Sequence, residues 1–402
     1  MQDYTKIVVA GDVDSGKSTL IGRFLYESGS LAEGVVDDIA QVCQNLKHDF
    51  EFAYLLDSFE EERERELTID TTQCFCKRKK GKYVIFIDVP GHRELLRNML
   101  CGSSYADMAI LVVDVDKSVK NQTKRHAFIL KFLGITRIVV VINKMDALNF
   151  DEKVFLQAKE EIGEVFKQLG IRNDECIPIS GKKGDNLFQR SKAMPWYKGR
   201  MLDFTLDKNV IRKKSDDLRF LVQDIYEMGK ERVAAGVIIC GSIRKGDRVV
   251  ILPIQEMTQV KAIKYFNRNI TAATAPAGVG LVLGQQNSLA RGQVISKLPR
   301  KPISTKTITC KIFCVRSLDK ETEFKFRCAV QETSATIERI DRVWDIVNLA
   351  AKDGPPKEND VVEVILRMAS DVVVEKYVGN NSLGRFVLIN NREKITAIGT
   401  IL

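Results

Sequence analysis

An apolar β-branched run, Ile7-Val8-Val9, leads into Gly11-Asp12-Val13-Asp14-Ser15-Gly16-Lys17-Ser18, and a helix-like run from Thr19 to Ser28 follows. The segment fits G-x-x-x-x-G-K-[ST], a pattern that carries meaning only between a strand and a helix. In that setting successive backbone N–H groups wrap nucleotide phosphates, and the helix N-terminus adds partial positive charge. Gly11, Asp12, Val13, Asp14, Ser15, Gly16, Lys17, Ser18 and Thr19 are therefore the candidate phosphate-binding set. Lys17 can reach the terminal phosphates and the Ser18 hydroxyl can ligate Mg²⁺. The alternative is a plain Gly-rich turn, which explains neither the lysine nor the hydroxyl.

Three further signals follow, each at the end of a buried strand. Asp88-Val89-Pro90-Gly91-His92 closes the run Tyr83 to Ile87, where the Asp88 carboxylate can hold Mg²⁺ through water and the Gly91 N–H can touch a γ-phosphate. Asn143-Lys144-Met145-Asp146 closes Ile138 to Ile142. A carboxylate at Asp146 can accept hydrogen bonds from N1 and the exocyclic amine of guanine, whereas adenine would leave it buried and unpaired. A site of that kind rejects the wrong base by roughly 10⁴. Ser180-Gly181-Lys182 ends the strand Cys176 to Ile179 and can back the base. Singly these motifs are weak; in this order they point to GTP and GDP rather than ATP.

Residues 1–210 alternate strands, near Ile7, Thr71, Ile85, Leu111, Val140 and Ile177, with helical stretches such as Asp151 to Leu169. Leu20, Ile21, Phe24 and Leu25 form one helical stripe that Gly29 can end. The expected fold is a doubly wound α/β P-loop domain with the nucleotide at the strand C-termini. From Asp217 the pattern becomes short strands: Phe220 to Ile225, Val233 to Cys240, Arg248 to Leu252, Val260 to Ile263 and Val279 to Leu283. Gly236, Gly241 and Gly246 punctuate them like barrel corners. Beyond Pro299 to Pro302 come Thr307 to Val315, Phe324 to Ile340, Val361 to Met368 and Phe386 to Ile401. Two small antiparallel β-barrels are expected, over 217–299 and 303–402.

Composition limits the rest. A chain of 402 residues with 45% apolar content can bury a core in each domain. No apolar run approaches ~18 residues, and Met1-Gln2-Asp3-Tyr4 opens no signal peptide, so a soluble, cytoplasmic protein without membrane partners is expected. Nine scattered cysteines fit a reducing compartment; Cys310 and Cys314 share a strand face and read as core, while Cys74 and Cys76 share another, where no second Cys pair or His cluster lies nearby to make a metal site. The net charge of +9 admits nucleic acid or an acidic partner. Much of the excess lies in Lys77-Arg78-Lys79-Lys80-Gly81-Lys82, read as a solvated hairpin tip ahead of an RNA contact, and in Arg212-Lys213-Lys214, read as a linker. Glu60 to Glu66 reads as a solvated helix face with a Glu61–Arg65 pair.

With these motifs in order, and with Gly241 and Gly246-Asp247 in place, the chain resembles the translation-factor group of GTPases over nearly its whole length. The resemblance implies that Thr68, in Glu66-Leu67-Thr68-Ile69-Asp70, closes on Mg²⁺ when GTP is bound, and that His92 orients the attacking water. The catalytic set it implies is His92, Lys17 and Thr68, with Ser18, Thr68 and Asp88 around the metal. From the residues alone, Thr68 also fits a strand start and His92 a helix cap. Val13 and Leu67 fit an apolar gate or ordinary core.

Within the group, Gln122-Thr123-Lys124-Arg125-His126-Ala127-Phe128-Ile129, and the insert with Leu55-Leu56-Asp57 and Glu62-Arg63-Glu64, resemble the GTPase subunit of two-subunit ATP sulfurylase (sulfate adenylyltransferase subunit 1). Elongation factors carry a His-Thr-Ala motif that helps receive the tRNA arm. Here the matching strands read Phe326-Arg327-Cys328-Ala329 and Glu332-Thr333-Ser334-Ala335-Thr336-Ile337, which resemble the sulfurylase subunit, with Thr333 and Ala335 matching. That resemblance implies a separate catalytic ATP sulfurylase subunit as partner. An elongation-factor-like binder of tRNA or ribosome is the alternative. The chain departs from the group's usual pattern at Glu66 (commonly Gly), Ser15 (His or Asp), Gly181 (Ala) and Val89 (Thr), and it lacks the acid after Arg291-Gly292. None of these removes a group that phosphate chemistry needs.

Overall fold

The computed structural model describes residues 4–31, 34–35, 52, 54, 73–78, 83–88, 106–116, 121–135, 137–172, 175–207, 216–229, 231–266, 268–284, 288–319, 322–345, 350–377 and 382–402. Contacts divide the chain into two compact units, Met1–Val210 and Ile211–Leu402.

The first unit holds β1 (Tyr4–Gly11), α1 (Lys17–Glu27), β2 (Gln73–Lys77), β3 (Tyr83–Asp88), β4 (Met108–Asp114), α2 (Asn121–Phe132), β5 (Ile138–Asn143), α3 (Glu152–Leu169), β6 (Cys176–Pro178) and α4 (Leu202–Leu206). The strands form one sheet in the order β2-β3-β1-β4-β5-β6. β3, β1, β4, β5 and β6 run parallel, and β2 is antiparallel to β3. β4 and β5 are buried along their whole length, which matches their uninterrupted aliphatic sequences and a sheet covered on both faces. Strand order reverses between β1 and β4, so the turn after β1 opens into the crevice where doubly wound sheets bind ligands. Asp151 caps α3 by accepting from the Lys153 N–H, two residues inside the start that the sequence suggests.

Two expectations for this unit change. The helix after the phosphate loop begins at Lys17, not Thr19, because Gly16 in the left-handed conformation turns the chain directly into it. Arg78 is no part of a solvated tip: it is 8% exposed, pairs with Asp203 and Asp207 (2.9 Å to the latter), and lies over the Phe24 ring at 5.5 Å. A guanidinium can enter the core when carboxylates and a π-face replace its water. Lys79 to Lys82, Glu60 to Glu66 and Arg212 to Lys214 lie outside the described residues, as does Thr71.

The second unit holds β7 (Arg219–Met228), β8 (Glu231–Cys240), β9 (Ser242–Arg244), β10 (Arg248–Leu252), β11 (Glu256–Tyr265), β12 (Arg268–Ile270), β13 (Ala272–Thr274), β14 (Ala277–Leu283) and β15 (Val294–Ser296). It continues with β16 (Ile303–Cys314), β17 (Phe324–Cys328), β18 (Gln331–Asp345), β19 (Ala350–Lys352), β20 (Asp360–Val374), β21 (Arg385–Ile389) and β22 (Ile395–Ile401). The order β10-β15-β7-β8-β14-β11 closes through the β10–β11 pairing, and β17-β21-β22-β16-β20-β18 closes through β17–β18. Both are closed antiparallel barrels, which removes the exposed edges an open sheet would leave. Two runs expected as single stretches are hairpins. Phe324 to Ile340 turns at Ala329, whose φ is 51°, and Phe386 to Ile401 turns between β21 and β22. Cys310, Cys314 and Cys328 line the second barrel's interior with Phe324 and Phe326, and burial pushes the Cys328 thiol up to about 12. Cys74 and Cys76 are likewise buried in the first unit.

Within this unit the barrels share an apolar seam. Phe220 and Val222 point into the first barrel, while Leu221 between them joins Val250, Leu252 and Val294 against Val373 and Leu383. Strand alternation thus buries both faces of the first four residues of β7, Arg219 to Val222, and of β10 from Val249 to Leu252. Arg219 donates to Glu375 at 2.6 Å and to Ser296 Oγ at 3.0 Å beside the seam.

Candidate functional site

The turn from β1 to α1 is a cradle that leaves no room for extra side-chain atoms. Gly16 has φ 85°, and a Cβ there would lie 2.5 Å from Asn143 Nδ2; at Gly11 it would lie 2.4 Å from the Val112 carbonyl oxygen. Asp14 also takes a positive φ, 63°. Such a turn aims consecutive N–H groups inward, which is what anionic oxygens require. Inside it the Ser15 hydroxyl is fully buried and has no hydrogen-bond partner. Lys17 Nζ spans the cradle, donating to the carbonyls of Gly11 (3.1 Å) and Asp12 (2.9 Å). Burial lowers the Lys17 pKa, and Asp88, Asp12 and Asp14 offset part of that. An ammonium held in partial desolvation is stabilised by an arriving anion. Val13 is 64% exposed on the rim, which rules out ordinary core packing for it.

Ser18, in the first turn of α1, donates to Asp88 Oδ2 at 3.2 Å, so the two oxygens expected at the metal stand side by side. Thr19 is half-buried in the same turn. On the other side Asn143 ties three elements together. Its Nδ2 donates to the Ser15 carbonyl (2.8 Å), and its Oδ1 accepts from the Gly181 N–H (2.9 Å). One amide therefore sets the phosphate loop, the end of β5 and the loop after β6 in register. The Gly181 N–H, which the sequence suggests for the base, is occupied by Asn143 here. Lys144 has φ 66°, and its ammonium pairs with buried Asp114 at 2.9 Å. That turn delivers Asp146, half-buried, on the 3₁₀ turn Met145–Leu148, which the Met145 N–H anchors to the Ile179 carbonyl. Ser180 is buried and its Oγ accepts from the Lys183 N–H; Lys182 is exposed.

The structure thus brings together Gly11 to Thr19, Asp88, Asn143, Lys144, Asp146 and Ser180 to Lys182. Thr68, Gly91, His92 and Leu67 lie outside the described residues. Two supporting groups escaped the sequence reading. Asp114 ends the apolar strand β4 with no motif around it, and its role shows in its pairing with Lys144 and in accepting from the Asp116 N–H. Arg23 sits on α1 and reaches the carbonyls of Lys182 and Lys183.

Among the described residues no helix is long and apolar enough to cross a membrane. The model of the elongation factor Tu GTP binding domain matches residues 2–253, and that of the GTP-eEF1A C-terminal domain-like family matches residues 307–402. Sulfate adenylyltransferase subunit 1 of Bacteroides fragilis is 31% identical over 411 residues, covering 100% of this chain and 86% of its own length. Elongation factor 1-alpha of Thermoplasma acidophilum is 33% identical over 412 residues, covering 98% and 96%. That of Archaeoglobus fulgidus is 37% identical over 319 residues, covering 77% and 75%. Among solved structures, sup35 complexed with GDP aligns over 100% of this chain and 94% of its own at 21% identity, with a TM-score of 0.45. The phosphate cradle, the closed barrels and a family match across more than half the sequence lead to one conclusion: the chain belongs to the elongation factor Tu family of GTP-binding GTPases.

Proposed function

We propose that this GTPase is the regulatory subunit of a sulfate adenylyltransferase, coupling GTP hydrolysis to formation of adenylyl sulfate and pyrophosphate from ATP and sulfate on a separate catalytic subunit. The observation that carries the finer reading is the β17–β18 hairpin. Where elongation factors present His-Thr-Ala to the tRNA arm, this hairpin presents an Arg327–Glu332 ion pair and a Thr333 hydroxyl bonded to Ser370 Oγ at 2.8 Å. The full-length likeness to sulfate adenylyltransferase subunit 1 supports it further. Adenylyl sulfate is uphill from its reactants, so coupling its formation to GTP hydrolysis can draw the reaction forward.

In this reading Lys17 and the Gly11–Ser18 amides hold the β- and γ-phosphates, and Asp146 accepts from guanine N1 and its exocyclic amine. Ser18 and Asp88 offer two hard oxygen donors. That fits Mg²⁺, which takes most of its ligands from phosphate and water. When bound, the ion neutralises charge on the phosphate oxygens. Thr68 closes over the site in the GTP state, the Gly91 N–H meets the γ-phosphate, and His92 orients the attacking water. Loss of the γ-phosphate releases both segments. His92→Ala is expected to retain GTP affinity and slow hydrolysis by roughly 10²; single-turnover kinetics at the wild-type rate would remove His92 from the reaction.

The deciding experiment purifies the chain with a catalytic sulfurylase subunit and follows adenylyl sulfate formation with and without GTP. A rate indifferent to GTP ends the proposal. The second reading, a tRNA- or ribosome-binding elongation factor, rests on the elongation factor 1-alpha match over 98% of this chain. Salt-sensitive, GTP-dependent binding of aminoacyl-tRNA would favour it.

A further inference from the structure

Arg23 lies one turn beyond the phosphate loop on α1 and faces the loop proposed to back the guanine, 159 and 160 residues further along the chain. Its Nη1 donates to the Lys182 carbonyl (3.2 Å), its Nη2 to the Lys183 carbonyl (3.1 Å) and its Nε to Glu27 Oε1 (2.5 Å). The guanidinium also lies over the Phe52 ring at 5.0 Å. The contact is fitted from the loop side too. Gly184 has φ 84°, and a Cβ there would lie 2.2 Å from Glu27 Oε1 and 2.7 Å from Arg23 Nη2. A planar fork that addresses two successive carbonyls while a carboxylate fixes its third edge defines a geometry that lysine cannot copy.

The geometry points to Arg23 as a positioning residue for base recognition: with Glu27 it clamps the Ser180–Gly184 turn to the phosphate-loop helix, so that phosphate and base subsites are held at a fixed separation. The inference rests on the proposed guanine site. It goes beyond that site in making selectivity depend on a side chain that contacts the Lys182 and Lys183 carbonyls, Glu27 and the Phe52 ring. Without the clamp the loop must be ordered by the base itself, and binding bears that entropy. The Asn143 link remains, so the loss is partial. The effect falls on the base end of the site, because Lys17, Gly16 and Ser18 keep their own contacts.

The test uses the full chain and two probes, GDP and IDP, the latter lacking the exocyclic amine. Arg23→Ala is expected to weaken GDP by about 10-fold and to shrink the GDP-over-IDP preference, because a loosened site uses the amine less well. Arg23→Lys should recover part of both, and Gly184→Ala, which attacks the clamp from the loop, should reproduce the Arg23→Ala pattern. Unchanged GDP affinity in Arg23→Ala would overturn the inference. So would weaker binding of both probes by one common factor, since that marks distortion of α1 and the phosphate cradle. If wild-type protein already fails to prefer GDP to IDP, the guanine-site reading itself has failed, and Arg23 with it.

Discussion

The phosphate cradle and the β17–β18 hairpin are both turns between regular elements, yet they constrain the sequence in opposite ways. In the cradle the backbone path is committed: glycines stand where a Cβ would strike backbone or Asn143, a lysine bridges two carbonyls, and a serine hydroxyl is sealed inside. On the hairpin the inward residues Phe324, Phe326 and Cys328 are fixed by packing, whereas Lys325, Arg327 and Glu332 project outward into ion pairs with 35–48% of each side chain exposed. Chemistry common to many proteins sits where the backbone leaves little room for substitution. If the hairpin receives the partner, as proposed, partner identity sits where substitution is cheap. That is why the nucleotide is easier to name than the partner.

The sharpest way to break this comparison is at Asp146. If base choice resides in one half-buried carboxylate, Asp146→Asn should transfer preference from guanine to xanthine nucleotides. Xanthine carries a carbonyl where guanine has its amine, and the amide can donate to it. The swing expected is roughly 10⁴ in relative affinity. Competition binding with xanthosine and guanosine diphosphates measures it. Retained guanine preference would show that recognition is spread over the loops.

A core position in the barrels should respond differently. At Gly236 a Cβ would lie 2.0 Å from the Leu221 carbonyl oxygen and 2.8 Å from Phe220 Cζ, opposite the bulge in β7 at Val222/Asp224. Backbone cannot step aside, so Gly236→Ala should cost about 3 kcal/mol of stability, or about 10 °C in melting temperature. GDP affinity, measured by calorimetry below the transition, should stay within about twofold, since the site is built on other elements. A melting temperature that does not move would mean the strands part more easily than their closed order suggests.

Lys17 supplies a smaller signal. Its native pKa lies below the ordinary 10.5, chiefly through burial. The unfolded chain therefore holds this proton more tightly, and the free protein gains stability as pH rises through the window just below 10.5. A bound phosphate reverses the shift, so GDP binding in that same window should take up a fraction of a proton and weaken at higher pH. Calorimetry in two buffers of different ionisation heat reads that uptake. Identical apparent enthalpies would place the ammonium outside the phosphates' influence.

What was readable from the residues follows the same division. The phosphate loop, the Asp88 and Asn143 strand ends and the two barrels declare themselves through local pattern, because each depends on neighbours in sequence. Arg78 was misread as solvated because the carboxylates that bury it, Asp203 and Asp207, stand 125 and 129 residues away. Arg23 gave no signal of its clamp because, beyond the Glu27 carboxylate one turn on, its polar partners are the Lys182 and Lys183 main-chain carbonyls, which no residue type marks. The turn at Ala329-Val330 was missed because neither residue is a turn former, and the strand pairing imposes the positive φ. The short strands β9, β12, β13 and β15, three residues each, fell below any periodicity.

The smallest expected effect on stability comes from the hairpin, and it bears most directly on function. Arg327 meets Glu332 at 2.7 Å with side-chain exposures of 48% and 45%. An ion pair so open to solvent contributes little, so Arg327→Ala should change unfolding free energy by less than ~0.5 kcal/mol. If this face receives the catalytic sulfurylase subunit, the same substitution should still slow association and flatten its salt dependence, because exposed charges govern encounter more than stability. Denaturant titration paired with association kinetics separates the two quantities. A loss above ~2 kcal/mol would show that the pair holds the barrel together, and its departure from His-Thr-Ala would then report on folding rather than on partner choice.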